Sequence, residues 1–241
     1  MPVRLYRLFQ GLTLIALCLF LAGKLINGKL TWYINMRFVP LTMLGIALLA
    51  MMAQVIFSQS RKKNEDDEDD HIHGSTRNLI ILFLPVLIGI LLPARPLDSS
   101  AVETKGVNVN APLISNASTS QFEVAADHRN ILDWMRIFNY EKDLSPYLNQ
   151  NAKVIGFVYH DERLPEDQFL LSRFVVSCCA ADAFAIGIPV QWEGATTLEE
   201  NTWLEVEGAV QATEFNDQRT PLIIATSVQT VRTPEQPYLF P

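Results

Sequence analysis

Two cysteines stand side by side at Cys178 and Cys179, with a carboxylate three residues on at Asp182, in the segment SRFVVSCCAAD. Thiolates paired with a carboxylate are the donor types of soft and borderline metal ions, and vicinal thiols are also a redox couple. The stretch from 169 to 179 reads as a strand, and neighbouring side chains on a strand point to opposite faces. On that reading, the two sulfurs chelate one ion only if the strand breaks between them. A disulfide between neighbours is strained, because adjacent Cα atoms lie about 3.8 Å apart and bridged ones usually about 4.4–6.8 Å. Three readings stay open: structural thiols with one in the core, a thiolate site for a divalent or soft metal ion beside Asp182, and redox exchange.

A second cluster lies in RKKNEDDEDDHIHGS, where His71 and His73 follow Asp66, Asp67, Asp69 and Asp70. His-x-His with carboxylates holds divalent cations. The same composition is equally that of a solvated acidic loop. Cys18, the third cysteine, falls in an apolar run and reads as a small packing residue. With no array of spaced cysteines, the chain is not a disulfide scaffold.

The elements that must position these groups fall into two regimes. Residues 1–94 form a membrane domain with apolar runs at about 9–27, 38–57 and 78–92. The first two approach the roughly 20 residues needed to cross a bilayer as a helix. The third is shorter and carries Pro85, yet it is almost wholly apolar, so three transmembrane helices are expected. Lys24 is near enough to its helix end to snorkel. Basic residues mark the cytoplasmic side. Arg4 and Arg7 precede the first helix, and Arg61, Lys62, Lys63 and Arg77 flank the 58–77 loop. The expected arrangement is a multi-pass protein of the inner membrane, with the acidic His-containing loop inside and the C-terminal domain outside the cytoplasm.

Residues 95–126, rich in Ser, Thr, Asn and Val, read as a linker. Residues 127–241 read as a helix followed by an OB-like β-barrel. Ile131, Trp134, Met135 and Phe138 recur at helical spacing, with Asp127 as the expected N-cap. Five strands follow, at 152–160, 169–179, 187–193, 203–213 and 221–231. Gly156 and Gly208 sit mid-strand, where barrels bend. A helical insertion after the second strand would complete the OB-like pattern.

Charge and motifs narrow the function. The 241-residue chain has a net charge of −7, and residues 95–241 carry 10 Lys/Arg against 20 Asp/Glu. Such an acidic domain is unsuited to nucleic acid, whose phosphates need clustered Lys and Arg. There is no Gly-x-Ser-x-Gly, P-loop or His-Glu-x-x-His, so no catalytic residues are expected and an enzyme is not.

These residues carry a resemblance. Trp32–Arg37, the His71/His73 loop ahead of a Pro-containing helix, Leu92-Pro93-Ala94-Arg95, VIGFVYHDER at 154–163, SRFVVSCCAADAFAIGIPV at 172–190 and Pro237-Tyr238 together resemble a bacterial family of small permease subunits with a C-terminal domain of unknown function. The acidic loop departs from the family pattern in having only two histidines and no cysteine. The resemblance implies an accessory or regulatory subunit beside a larger multi-spanning permease, in the lipid bilayer, with an extracytoplasmic barrel that binds or gates a solute. If the solute is a metal ion, Cys178, Cys179 and Asp182 are the outer candidates and His71 and His73 the inner ones. The alternative is a membrane-anchored thiol-redox or scaffold protein.

Overall fold

The computed structural model describes residues 3–61, 76–107, 125–215 and 218–241. The chain divides into two compact units, Met1–Arg95 and Pro96–Pro241. His71 and His73 lie outside the described residues.

The first unit is helical: α1 Val3–Ile26, α2 Val39–Arg61 and α3 Thr76–Leu91. Between α1 and α2 the chain turns at Gly28, which is left-handed at φ +67°, and re-enters a helix where the Asn35 side chain accepts from the Arg37 N–H. Stretches of 22 and 24 residues, Leu5–Ile26 and Met36–Gln59, are long and apolar enough to cross a membrane. Among the described residues, the expected count of three such helices therefore becomes two. The third segment is helical through Pro85 but has 16 residues. At 1.5 Å per residue that is about 24 Å, short of the roughly 30 Å hydrocarbon core. Its first residues, Thr76 and Arg77, are polar, and Pro93 stops it just past its end.

These helices meet at small residues. A Cβ on Gly89 would lie 2.5 Å from the Phe20 ring, so α3 approaches α1 as closely as it does only because that position has no side chain. A cavity of about 630 Å³ opens beside them, lined by apolar groups with Lys24, Tyr33 and Thr42. The Lys24 ammonium lies over the rings of Phe20 and Tyr33, at 5.3 and 5.7 Å from their centroids.

The second unit begins with a short helix, α4 Ser99–Lys105, inside the stretch read as linker. Then come α5 Ile131–Tyr140, β1 Asn151–Tyr159, β2 Gln168–Val175, β3 Phe184–Gln191, β4 Trp203–Phe215, β5 Gln218–Thr230 and a short β6 Tyr238–Leu239. Helix α5 starts at Asn130, not Asp127. The Asn130 side chain accepts from the Leu132 and Asp133 N–H groups, and Asp133 accepts in return from the Asn130 N–H. That reciprocal cap satisfies donors that no earlier turn can reach. The apolar stripe of α5 is a packing face, with Ile131, Trp134 and Ile137 fully buried.

The sheet closes on itself. β1 pairs with β2 and β4, β2 with β3, β4 with β5, and β3 with β5; all are antiparallel except β3–β5. Strands four, one, two and three therefore lie in Greek-key order, with β5 closing the gap. Its interior is built from Val154, Leu170, Ile186, Ile188, Val206 and Ile223 among others, capped by α5. The expected alternation of β4 holds: Leu204, Val206, Gly208 and Val210 face inward. Gly208 is required rather than merely tolerated. The register slips between Glu207 and Gly208, and a Cβ on Gly208 would lie 2.1 Å from the Ile224 carbonyl oxygen. The Thr226 hydroxyl donates to the Glu207 carbonyl and holds this bulge. The helical insertion expected after the second strand is a single 3-10 turn, Ala180–Asp182.

Candidate functional site

Strand β2 ends at Val175, four residues before the expected end at Cys179. The vicinal cysteines thus lie in the β2–β3 connection, and the argument that they face opposite sides of a sheet does not apply. Strands β2 and β3 are in register from Gln168–Gln191 to Val175–Phe184, so both ends of this loop are fixed.

Asp182 shapes the loop. Its carboxylate accepts from the backbone N–H groups of Cys178 (2.7 Å), Ser177 (3.2 Å) and Cys179 (3.4 Å). An aspartate can collect three consecutive donors only if the chain curls round it, and the small Ala180, Ala181 and Ala183 let it do so. Cys179 caps the 3-10 turn from the other side, its sulfur accepting from the Asp182 N–H. The two sulfurs come to 3.7 Å. The sulfurs and the carboxylate together place one donor atom each within 4.8 Å of the others.

The electrostatics of the three groups diverge. The Asp182 carboxylate, followed by the neighbouring sulfur, holds the proton on Cys178 and pushes that thiol up to about 11. The backbone N–H of Ala181, then the Cys178 thiol and the Asp182 N–H, draw Cys179 down from its ordinary value. Burial pushes Asp182 up, but the Cys178 thiol and the three backbone donors outweigh it and hold the carboxyl below the usual range. The two thiols are thus shifted in opposite directions, and Cys179 gives up its proton before Cys178 does. Because the sulfurs interact, the first deprotonation belongs to the pair and resides chiefly on Cys179.

Two supports hold the loop from outside. The Lys105 ammonium, at the end of α4, donates to the carbonyls of Ala181 (3.1 Å) and Ala183 (2.9 Å). Beneath it, Val107 bridges to Ala185 and Val102 is buried. On the other flank, β6 runs parallel to β2, and the Val176 N–H donates to Leu239. The buried Arg173 guanidinium pins that tail by donating to the carbonyls of Gln236 and Pro237, with Trp203 against its face. Burial lowers Arg173 to about 10, which leaves it charged at neutral pH. The Tyr238 hydroxyl accepts from the Leu97 N–H.

Sequence reasoning missed Lys105 and Arg173, because a lone basic residue carries no spacing signal. It also missed a cavity of about 390 Å³ at the opposite end of β3, lined by Asp167, Gln191, Trp192, Glu193, Ile224 and Ala225. Asp167 accepts there from the Gln191 side chain at 2.7 Å.

Residues 9–241 are accounted for by one family. Residues 103–241 match the DUF1980 C-terminal domain and residues 9–108 the DUF1980 N-terminal domain. The chain belongs to the DUF1980 family. The CCAAD loop and its Lys105 support both fall within the C-terminal match. A protein of Streptococcus mutans named "putative two-component membrane permease complex subunit" is 28% identical, over 89% of this chain and 92% of its own length. The UPF0703 protein YcgQ of Bacillus subtilis is 23% identical, over 97% of this chain and 99% of its own length.

Proposed function

We propose that this chain is an accessory subunit of a two-component membrane permease complex, anchored by its N-terminal helices and presenting an OB-like barrel to the solute. The observation that carries this reading is the uncovered apolar surface of the first unit. Only 22% of the first span and 6% of the second are buried within the chain. Leu19, Leu41, Leu44, Leu48 and Ile90 all stand exposed, and among the described residues past Leu92 the only exposed large apolar side chain is Tyr140. Lipid covers such a surface, and so does a larger helical partner. The name of the Streptococcus mutans relative supplies the kind of partner.

Three helices offer little material for a pore, so the larger subunit forms the path and this chain regulates or feeds it. The orientation we propose requires α3, which at 16 residues is too short to cross unaided, to complete a third crossing with local thinning of the bilayer. That odd count delivers the barrel outside the cytoplasm, with the 58–77 loop and its Arg61, Lys62, Lys63 and Arg77 inside. The barrel binds or gates solute at the mouth through the CCAAD loop. If the solute is a metal ion, His71 and His73 meet it on the inner side.

Photo-crosslinking from positions 44 and 48 of α2 in native membranes tests the assembly. The expected result is a discrete adduct with a multi-spanning membrane protein that also co-purifies in mild detergent. Adducts with lipid alone would overturn it. A membrane-impermeant maleimide tests the topology: Cys178 and Cys179 should be labelled in intact cells, and labelling only after lysis would place the barrel inside.

A further inference from the structure

We infer that the CCAAD loop is an open-faced, exchangeable site for a tetrahedral divalent cation of the zinc class, held by the sulfurs of Cys178 and Cys179 and the carboxylate of Asp182. The inference deepens the reading of the barrel as the solute-contacting part of the complex, and rests on it only for the ion's destination.

Distance is the first argument. Two sulfurs bound at about 2.3 Å to one tetrahedral zinc stand about 3.75 Å apart. The two sulfurs here are 3.7 Å apart. A linear two-coordinate ion at the same bond length would hold them about 4.6 Å apart. A disulfide needs about 2.05 Å and a Cα spacing that neighbouring residues do not reach. The loop therefore matches the edge of a tetrahedron before any ion binds. The third donor is in place as well, since all three ligand atoms lie within 4.8 Å of one another.

The second argument is pre-organisation. The Asp182 carboxylate is fixed by three backbone N–H groups, and the loop's carbonyls are pinned by Lys105. These bonds fix the loop's backbone and the orientation of the carboxylate within it. That matches the way metal ligands are oriented by a surrounding shell.

The third argument is the missing fourth protein ligand. Among the described residues, the His, Cys, Asp and Glu side chains that converge here are these three and no others. Structural zinc sites are closed by four protein ligands, whereas three leave a position for water or an incoming donor. Cys178 is exposed, so the open position faces solvent. A three-donor site at the surface releases its ion to a better-equipped acceptor, as a subunit feeding a permease must. On binding, the thiols give up their protons to solvent and no electron moves.

The test uses the full-length protein in detergent, with Cys18→Ala so that the only sulfur donors of cysteine are the loop pair. Cobalt(II) serves as the zinc surrogate, because thiolate-to-cobalt charge transfer reports sulfur ligation directly. One equivalent is expected to give a charge-transfer band, displaced by one equivalent of zinc. Cys178→Ser and Cys179→Ser should each halve the band per bound ion and weaken binding by more than about 100-fold, the upper range for losing an outer-shell partner. Asp182→Asn keeps an oxygen to accept the backbone N–H groups but loses the charge; it should keep the band and weaken binding roughly 10- to 100-fold. Absence of the band, or a band unchanged in the Cys178→Ser/Cys179→Ser double variant, would overturn the inference. Binding that survives the double variant but disappears in His71→Asn/His73→Asn would overturn it equally. Co-purification with the permease subunit is measured on the protein that keeps both loop cysteines. If that protein retains the partner while it binds no metal, the site assignment fails and the subunit assignment stands.

Discussion

The two units of this chain treat apolar surface in opposite ways. In the C-terminal unit, Trp134, Phe157, Phe169 and Phe174 are fully enclosed and the chemistry-bearing groups are pushed to the loops. In the N-terminal unit, leucines, isoleucines and methionines stand on the outside, and the polar Thr13 and Asn35 are buried. One unit is stabilised by its own core; the other needs its surroundings to complete it. The contrast teaches that substitutions in the first unit act through assembly, and those in the second through folding or ligand.

The largest effect that would sharpen this contrast is Trp134→Ala. Emptying a fully buried aromatic site costs about 3–5 kcal/mol, so the near-UV circular dichroism melt of the detergent-solubilised protein should lose its barrel transition at a much lower temperature. Leu44→Ala in α2 should leave that transition where it is and weaken partner capture instead. If both substitutions shifted the same transition equally, the division into independently stabilised units would be wrong.

Gly208→Ala comes next. The added Cβ meets the Ile224 carbonyl across a bulge that is part of the barrel's closure, so neither strand can step aside cheaply. Overpacking typically costs about 1–3 kcal/mol; here the upper end is expected, read from the same melt. Gly45→Ala in α2 meets nothing within 4 Å and should be silent. A Gly208→Ala protein as stable as the parent would show that the bulge is not a constraint.

Much of this architecture was legible beforehand. Period-two patterning set β4 nearly in place, bounding turn residues did the same for β1 and β5, and the apolar stripe of α5 was visible because its i, i+3 and i+4 positions are all large. What escaped was tertiary. The end of β2 was invisible, because Val176 is as apolar as the residues before it and Ser177 is no strong breaker. What stops the strand is Asp182, five residues later, folding back to take the N–H groups that a ladder would otherwise use. The same contact turned two cysteines expected on opposite faces into neighbours. Similarly, α4 was hidden in a stretch of linker-like composition. Its anchors, Val102 and Lys105, are single residues whose partners lie about eighty positions away. For α3, the expected run of 78–92 and the helix Thr76–Leu91 nearly coincide; what the apolar composition did not reveal is that this length falls short of an unaided crossing.

The subtler expected effect concerns protons at the loop. Cys178 is raised to about 11, so its thiol persists through neutral pH and becomes thiolate only as pH climbs toward that value. Cys179 is lowered, so its thiolate is present at lower pH. Alkylation requires the thiolate. Mass mapping of the metal-free protein at pH 8 should therefore find Cys179 modified several-fold faster than Cys178, with the gap closing as pH rises above about 10. Equal rates at pH 8 would mean that Asp182 does not hold the Cys178 proton.

The smallest effect separates the loop's own scaffold from its outer support. Asp182→Ala strips an acceptor from three backbone donors and should cost about 1 kcal/mol, as the loss of a helix cap does. That contribution depends on pH in a defined direction. The folded carboxyl lies below its unfolded value, so its stabilisation is present above about pH 4 and fades as pH falls through the folded value. Lys105→Met removes two donated bonds at the loop's edge but leaves the Asp182 contacts intact. Hydrogen exchange of the Ser177, Cys178 and Cys179 amides discriminates the two. Asp182→Ala should release all three, whereas Lys105→Met should accelerate them only a few-fold. If Lys105→Met released them as fully as Asp182→Ala, the loop would owe its shape to α4 rather than to its own carboxylate, and the donor geometry would be a property of two segments rather than one.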